Sequence, residues 1–303
     1  MKVDEIKRIL VLGAGTMGHQ IGFLCAAHGY EVVIYDLSAK MLEQARNRID
    51  KLADRFIQKD RLTSDMKKEA INRISFTDQA EEAAKNTDFV TESVPEDPKL
   101  KGEIFSKFNK LCPERTIFTT NTSTLLPSMF AEATGRPEKF LAFHFHDVSL
   151  SDIVDIMPHP GTSQETVDLV KAFAEKIGQI VIMLGKENFG YVFNAMLSEF
   201  LKSALALASE QIATVEDIDR AWMGVTNSPA GPFGMMDSVG LDIVWKIIDH
   251  YANTSKKPQL IASAAFLKEY LDNGKLGLKS GQGFYTYPDP LFKQPGFINR
   301  EQK

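Results

Sequence analysis

The stretch Ile9-Leu10-Val11-Leu12-Gly13-Ala14-Gly15-Thr16-Met17-Gly18 decides the fold. Ile9 to Leu12 is a short apolar run of the kind that forms a parallel strand buried on both faces, and it ends at Gly13. Helical spacing begins at once. Met17, Ile21, Leu24 and Cys25 share one face, and Gly29 is placed to stop the helix before a second apolar run, Val32-Val33-Ile34-Tyr35. Strand, glycine turn, helix and strand make a βαβ unit. The glycine pattern alone is weak, but in this setting each residue has a task. Gly13 allows the tight turn, Gly15 lets a pyrophosphate approach the backbone, and Gly18 lets helix and strand pack closely. The helix N-terminus, with Thr16 and Met17 in its first turn, attracts the phosphate charge. Asp36 follows the second strand, where an acid accepts hydrogen bonds from the adenosine ribose and repels a further phosphate, so the spacing predicts NAD over NADP. FAD shares the fingerprint and is the rival cofactor.

Outward from this unit, residues 38–73 read as two long charged helices broken near 61–65, with Thr63 or Ser64 capping the second. Strands are predicted at 88–92 and 116–120, separated by a helix from Pro98 to Phe108. Further strands follow at 140–145, 153–156 and 180–183, with a helix over 163–177 stopped by Gly178. Such alternation implies an α/β fold, a doubly wound, mostly parallel sheet covered on both faces. From 192 to 271 the periodicity is helical only. The predicted organisation is a Rossmann domain over 1–187 and an all-helical domain over 188–303, with the active site in the cleft between them.

A chain of 303 residues with 44% hydrophobic content can fill two cores. Its formal charge of −5 does not supply the positive field on which general nucleic-acid binding relies. Cys25 and Cys112 are far apart and read as free thiols of a reducing compartment. The N-terminus carries Asp4 and Glu5 where a secretory signal would be basic, and no uncharged stretch is long enough to span a bilayer. A cytoplasmic protein without a membrane or metal site is the expectation.

His144 closes the strand 140–145, at the carboxyl edge where ligands of such sheets bind, and histidine can take and return a hydroxyl proton near neutral pH. A histidine among phenylalanines is also an ordinary core residue, and other groups have to decide. They do so as a set. Gly13 to Gly18, Glu96 with Lys101, Asn121-Thr122-Ser123-Thr124-Leu125, His144-Phe145 and Gly190-Tyr191-Val192-Phe193-Asn194 resemble the ordered motifs of the L-3-hydroxyacyl-CoA dehydrogenase family. The resemblance continues through Glu216-Asp217-Ile218-Asp219, Gly231-Pro232-Phe233 with Asp237, Gly240-Leu241-Asp242, and Lys275-Leu276-Gly277 to Gly283-Phe284-Tyr285.

That resemblance implies an NAD-dependent oxidoreductase of fatty acid metabolism, acting on an acyl-CoA as a homodimer. It makes His144 the acid/base, Ser123 and Asn194 its neighbours around the substrate oxygen, and Glu96 and Lys101 cofactor-side contacts. Bland roles stand beside these: Thr122 and Ser123 as helix caps, Asn194 as a cap or an interdomain hydrogen bond, Glu96 with Lys101 as a surface pair. The chain also departs from the family pattern. His146-Asp147-Val148 stands where the family has Phe-Asn-Pro, and its orienting glutamate is matched by Asp155, one residue closer. Asp147 and Asp152 are alternatives to Asp155, and His146 could exchange roles with His144 because strand alternation points both the same way. The family also uses the region of Lys51, Arg55, Lys59, Lys67 and Lys68 near CoA, although a charge run such as the one over these helices also reads as a solvated face. Beside the acyl-CoA reading stand a free hydroxy or keto acid, as for a diketoreductase or gulonate dehydrogenase, and a non-catalytic NAD-binding protein.

Overall fold

The computed structural model describes residues 1–298, and contacts divide the chain into two compact units, Met1–Asn194 and one from Ala195 on. In the first, eight strands form one sheet: β1 (Arg8–Leu12), β2 (Glu31–Tyr35), β3 (Ile74–Thr77), β4 (Phe89–Glu92), β5 (Ile117–Thr120), β6 (Phe140–Phe145), β7 (Ile153–Pro158) and β8 (Ile180–Met183). Their order is β3-β2-β1-β4-β5-β6-β7-β8, and every neighbouring pair is parallel except β6 with β7. Alternation sorts the strand residues onto two faces. Ile9, Val11, Val32 and Ile34 pack with Phe23, Ile49 and Phe173 on one, while Leu10, Leu12, Val33 and Tyr35 pack with Phe105 and Phe108 on the other. Both faces are therefore covered, as the apolar runs require.

The helices supplying that cover are α1 (Thr16–Ala27), α2 (Ala39–Gln58), α3 (Ser64–Asn72), α4 (Ala80–Ala84), α5 (Pro98–Leu111) and α6 (Gln164–Lys176). Side-chain oxygens open four of them: Ser38, Thr63, Asp97 and Ser163 each accept a first-turn backbone N–H. Thr63 is thus the cap of α3, whose nine residues are shorter than the long helix expected from the charge pattern. β3 and α4 were not anticipated. β3 is a four-residue edge strand with only Thr77 buried, and α4 is one alanine-rich turn, so neither leaves a period long enough to read. Residues 188–194, read from the sequence as the start of the helical domain, pack with the first unit through the buried Tyr191.

The second unit is helical: α7 (Phe193–Ser209, its first two residues in the first unit), α8 (Val215–Thr226), α9 (Pro232–Val239), α10 (Leu241–Ser255) and α11 (Pro258–Asp272). Leu205, Phe233, Met236, Leu241 and Leu267 are its fully buried centre. Two buried aspartates tie these helices to the C-terminal segment. Asp219 accepts the N–H groups of Phe233 and Gly234 and the Tyr285 hydroxyl, at 2.8–3.0 Å. Asp237 accepts those of Phe284 and Tyr285 and the Tyr287 hydroxyl, at 2.9–3.0 Å. Burial pushes the Asp219 carboxyl up to about 6 and raises that of Asp237, in each case against the donors. A Cβ on Gly283 would lie 2.0 Å from Asp237 Oδ1, so only glycine lets the chain pass there. The second-domain motifs of the sequence thus build a latch. Asp237→Asn turns an amide N–H toward one of the backbone N–H groups, which should cost about 1–3 kcal/mol. Thermal unfolding measures this, and an unchanged midpoint would show that the second acceptor oxygen is dispensable.

Candidate active site

β1 lies between β2 and β4, so the chain's winding reverses beside it and a crevice opens at the carboxyl ends of these strands. A pocket of about 780 Å³ occupies that crevice, and Gly15, Asp36, Glu96, Lys101, Ser123 and His144 are among the residues lining it. Gly13, Thr16 and Met17 line it as well. The glycines behave as three different solutions. Gly13 has φ +104°, and a Cβ there would meet Ser93 O at 2.7 Å. One on Gly18 would lie 1.9 Å from Gly13 O. A Cβ on Gly15 would meet nothing within 4 Å, so it would project into space that a dinucleotide's pyrophosphate can use. Asp36 accepts the N–H of Ala14 at one oxygen and of Ser38 at the other, both at 2.9 Å, which holds its carboxylate at the pocket's edge with lone pairs to spare. These residues fit a dinucleotide.

Below the pocket lies a buried charge cluster. Lys101, 1% exposed, donates to Glu92 at 2.7 Å and to Val94 O at 3.2 Å, with Glu96 3.3 Å away. Glu92 also accepts from Thr120 and from the Val94 N–H. Burial raises the Glu92 carboxyl despite this lysine. Burial would raise Glu96 too, but Lys101 and the hydroxyls of Thr122 and Thr124 outweigh it and hold its carboxyl below the usual range. One Glu96 oxygen gathers the Thr122 and Thr124 hydroxyls and the N–H groups of Ser123 and Thr124. Lys101 is buried and Glu96 exposed, so the pair joins the interior to the pocket's surface, and Glu96 shapes the loop that carries Ser123. Sequence reasoning missed Glu92, whose only signal is a carboxylate at the end of an otherwise apolar strand.

On the antiparallel pair, His144 stands directly opposite Asp155 in register. His144 Nδ1 lies 3.0 Å from Asp155 Oδ2, and both residues are buried. His146 Nε2 lies 3.2 Å from the same oxygen. Burial would raise the Asp155 carboxyl, yet the hydrogen bonds from the two imidazoles prevail and lower it. The alternatives to Asp155 are occupied elsewhere: Asp147 accepts from Ser149, and Asp152 pairs with Arg61. Asn121, legible only as part of a motif and without a role, accepts the Phe145 N–H at 2.7 Å and fixes the end of β6. Tyr191 was legible only as part of a motif. Held at φ +54°, it stacks on the His144 ring with centroids 4.6 Å apart and donates its hydroxyl to Thr122 O at 2.6 Å. Asn194 is half-buried at the start of α7 and is not among the residues lining the pocket. The donor atoms of His144, His146 and Asp155 lie within 4.8 Å of one another, a set that could also hold a metal ion.

The NAD-binding domain of 3-hydroxyacyl-CoA dehydrogenase matches residues 8–188, and the C-terminal domain of the same enzyme matches 190–287. The chain belongs to the 3-hydroxyacyl-CoA dehydrogenase family. A probable 3-hydroxybutyryl-CoA dehydrogenase of Bacillus subtilis is 33% identical over 286 residues, 94% of this chain and 99% of that protein. Among solved structures, the (S)-3-hydroxybutyryl-CoA dehydrogenase of Ralstonia eutropha superposes with a TM-score of 0.84 at 29% identity, over 94% of this chain and 100% of that one. A diketoreductase studied for dual catalysis of dicarbonyl compounds gives 0.85 at 39% identity, over 93% and 99%. The cofactor is NAD, as the glycine turn and Asp36 predict. Steady-state rates with NADH should exceed those with NADPH at equal concentration, and Asp36→Ala should narrow the difference. Equal use of both cofactors by the unaltered chain would contradict the role of Asp36.

Proposed function

We propose that the chain interconverts a 3-hydroxyacyl-CoA and its 3-keto partner, with His144 as the acid/base. The observation that carries the reading is the register pair: Asp155 accepts a hydrogen bond from the Nδ1–H of His144, which leaves Nε2 as the basic nitrogen of a residue lining the NAD pocket. Bound NAD supplies the hydride acceptor for alcohol oxidation. His144 then takes the hydroxyl proton, and in the reverse direction it returns that proton to the new alkoxide. The negative Asp155 stabilises the imidazolium in between. Ser123, on the loop held by Glu96, is the proposed donor to the substrate oxygen, with Asn194 as its companion.

The basic helices offer less to CoA than their count of lysines implies. Lys67 pairs with Asp50 and Asp54, Lys68 with Asp65, and Lys59 donates to Ser149 O. Lys51 and Arg55 make no ion pair among the described residues and, with Arg48, line a small pocket beside Asp147. Attraction for the CoA phosphates is proposed to come from these three. A second reading is favoured by the 39% identity to the diketoreductase: the same chemistry on a free dicarbonyl compound. NADH oxidation with acetoacetyl-CoA, acetoacetate and a diketo ester separates the two. The thioester should show the largest kcat/KM, because remote contacts help position the reacting carbon. A faster free acid or ester overturns the CoA reading and leaves the dehydrogenase assignment standing. In the same assay His144→Ala should lower turnover roughly 10²- to 10⁴-fold with NADH binding intact.

We further propose a homodimer formed through the second unit, where Ile243, Ile247 and Tyr251 expose one apolar stripe of α10. Sedimentation equilibrium giving a monomer mass at micromolar concentration would overturn it. Among the described residues no helix is long and apolar enough to cross a membrane.

A further inference from the structure

The carboxylate that orients His144 serves a second imidazole. His144 on β6 and His146, the residue after its end, point to the same side, and their nitrogens Nδ1 and Nε2 meet the same Asp155 oxygen at 3.0 and 3.2 Å. Asp155 is 1% exposed and has no other side-chain donor among the described residues, so these two bonds are the polar contacts that orient its carboxylate. Its torsion is soft: the terminal sp³–sp² rotation of an aspartate has broad wells. One donor leaves the carboxylate free to swing about the shared oxygen. A second donor on that oxygen removes the freedom. His146 is itself braced, edge-on to the His144 ring at 4.8 Å and to Phe193 at 5.6 Å, and its side chain is 20% exposed, enough to keep it out of the buried core.

We infer that His146 is a positioning residue: its Nε2–H holds the Asp155 oxygen against Nδ1 of His144, so that the base keeps its tautomer and its aim. The inference rests on the proposed role of His144. His146 takes no proton from substrate, and its loss acts on the chemical step through Asp155. Removing a group that orients a reactive one through a hydrogen bond costs about 10- to 100-fold where it has been measured at metal sites, and the lower end suits a neutral donor.

The test compares His146→Leu, His146→Gln and His146→Asn in the full chain, with NADH and whichever of acetoacetyl-CoA and a diketo ester the unaltered chain reduces faster. Gln places its amide near the position of Nε2, whereas Asn places it near Nδ1. His146→Leu and His146→Asn should lower kcat roughly 10-fold with KM, NADH affinity and thermal midpoint unchanged, and His146→Gln should recover most of the loss. The downfield N–H proton resonance of the His144–Asp155 bond, assigned by its absence in Asp155→Asn, should broaden in the Leu and Asn variants and persist in the Gln variant. Equal rates for all three variants and the unaltered chain overturn the inference, as does a rise in KM with kcat intact. A loss in His146→Leu as deep as in His144→Ala overturns it too, because His146 would then be the base. If His144→Ala turns over normally, the acid/base reading itself falls, and this inference with it. If His144→Ala is inactive while every His146 variant is normal, only the positioning role falls.

Discussion

The close approach of Gly13 to Gly18 and to Ser93 is the constraint on which the first unit depends. At these points backbone meets backbone with no room for a Cβ, which locks the end of β1 to the start of α1 and to the residue after β4. The strand order reverses at that spot, so the crevice, the helix N-terminus and the acid after β2 all face one space. Gly15, two residues on, faces open volume. A single turn thus combines two contacts that forbid a side chain with one that leaves the backbone bare for a ligand.

The site is built on groups that would be costly to bury alone. An unpaired ammonium or carboxylate at 1% or 0% exposure carries a desolvation penalty of several kcal/mol. Lys101 meets it with Glu92, Glu96 and a carbonyl, and Glu96 passes the remaining charge to four donors on the Ser123 loop. The same economy governs the second unit, where Asp219 and Asp237 each take three donors. In both units the buried charge does the work of fastening loops that hydrophobic contact cannot hold at fixed geometry. Such networks are unforgiving, because each acceptor oxygen has named partners.

Long periods and glycine turns were legible in the sequence. β1, α1, β2, α5 and α6 follow from apolar spacing plus caps, and His144 follows from motif order, with Asp155 one of three acids that the sequence left open as its partner. β3 and α4 were not, because four or five residues at an edge cannot establish a period. The sharing of Asp155 was only half visible: alternation put His146 beside His144, but nothing in one sequence gives the distance to a strand that returns antiparallel. Nor could charge counts tell that Lys59 and Arg61 spend their donors on the loop 147–152, since those bonds join residues about 90 apart in the chain. The segment that departs from the family pattern is therefore anchored by residues that read as a solvated face.

That anchored segment explains how two departures accommodate each other. Asp155 is a methylene shorter than the family's glutamate, and it also lies one residue closer to the histidine in sequence. Together these changes place the acid directly across the antiparallel ladder from His144, where opposed Cβ atoms stand about 4.5–5.5 Å apart and a short side chain suffices. The short reach has a consequence of its own. An acid directly opposite position 144 also comes within range of position 146 on the same face, so an imidazole there falls on the same oxygen. The compact register and the second histidine are then parts of one arrangement: the acid that stands opposite position 144 is reached by the imidazole of position 146 as well.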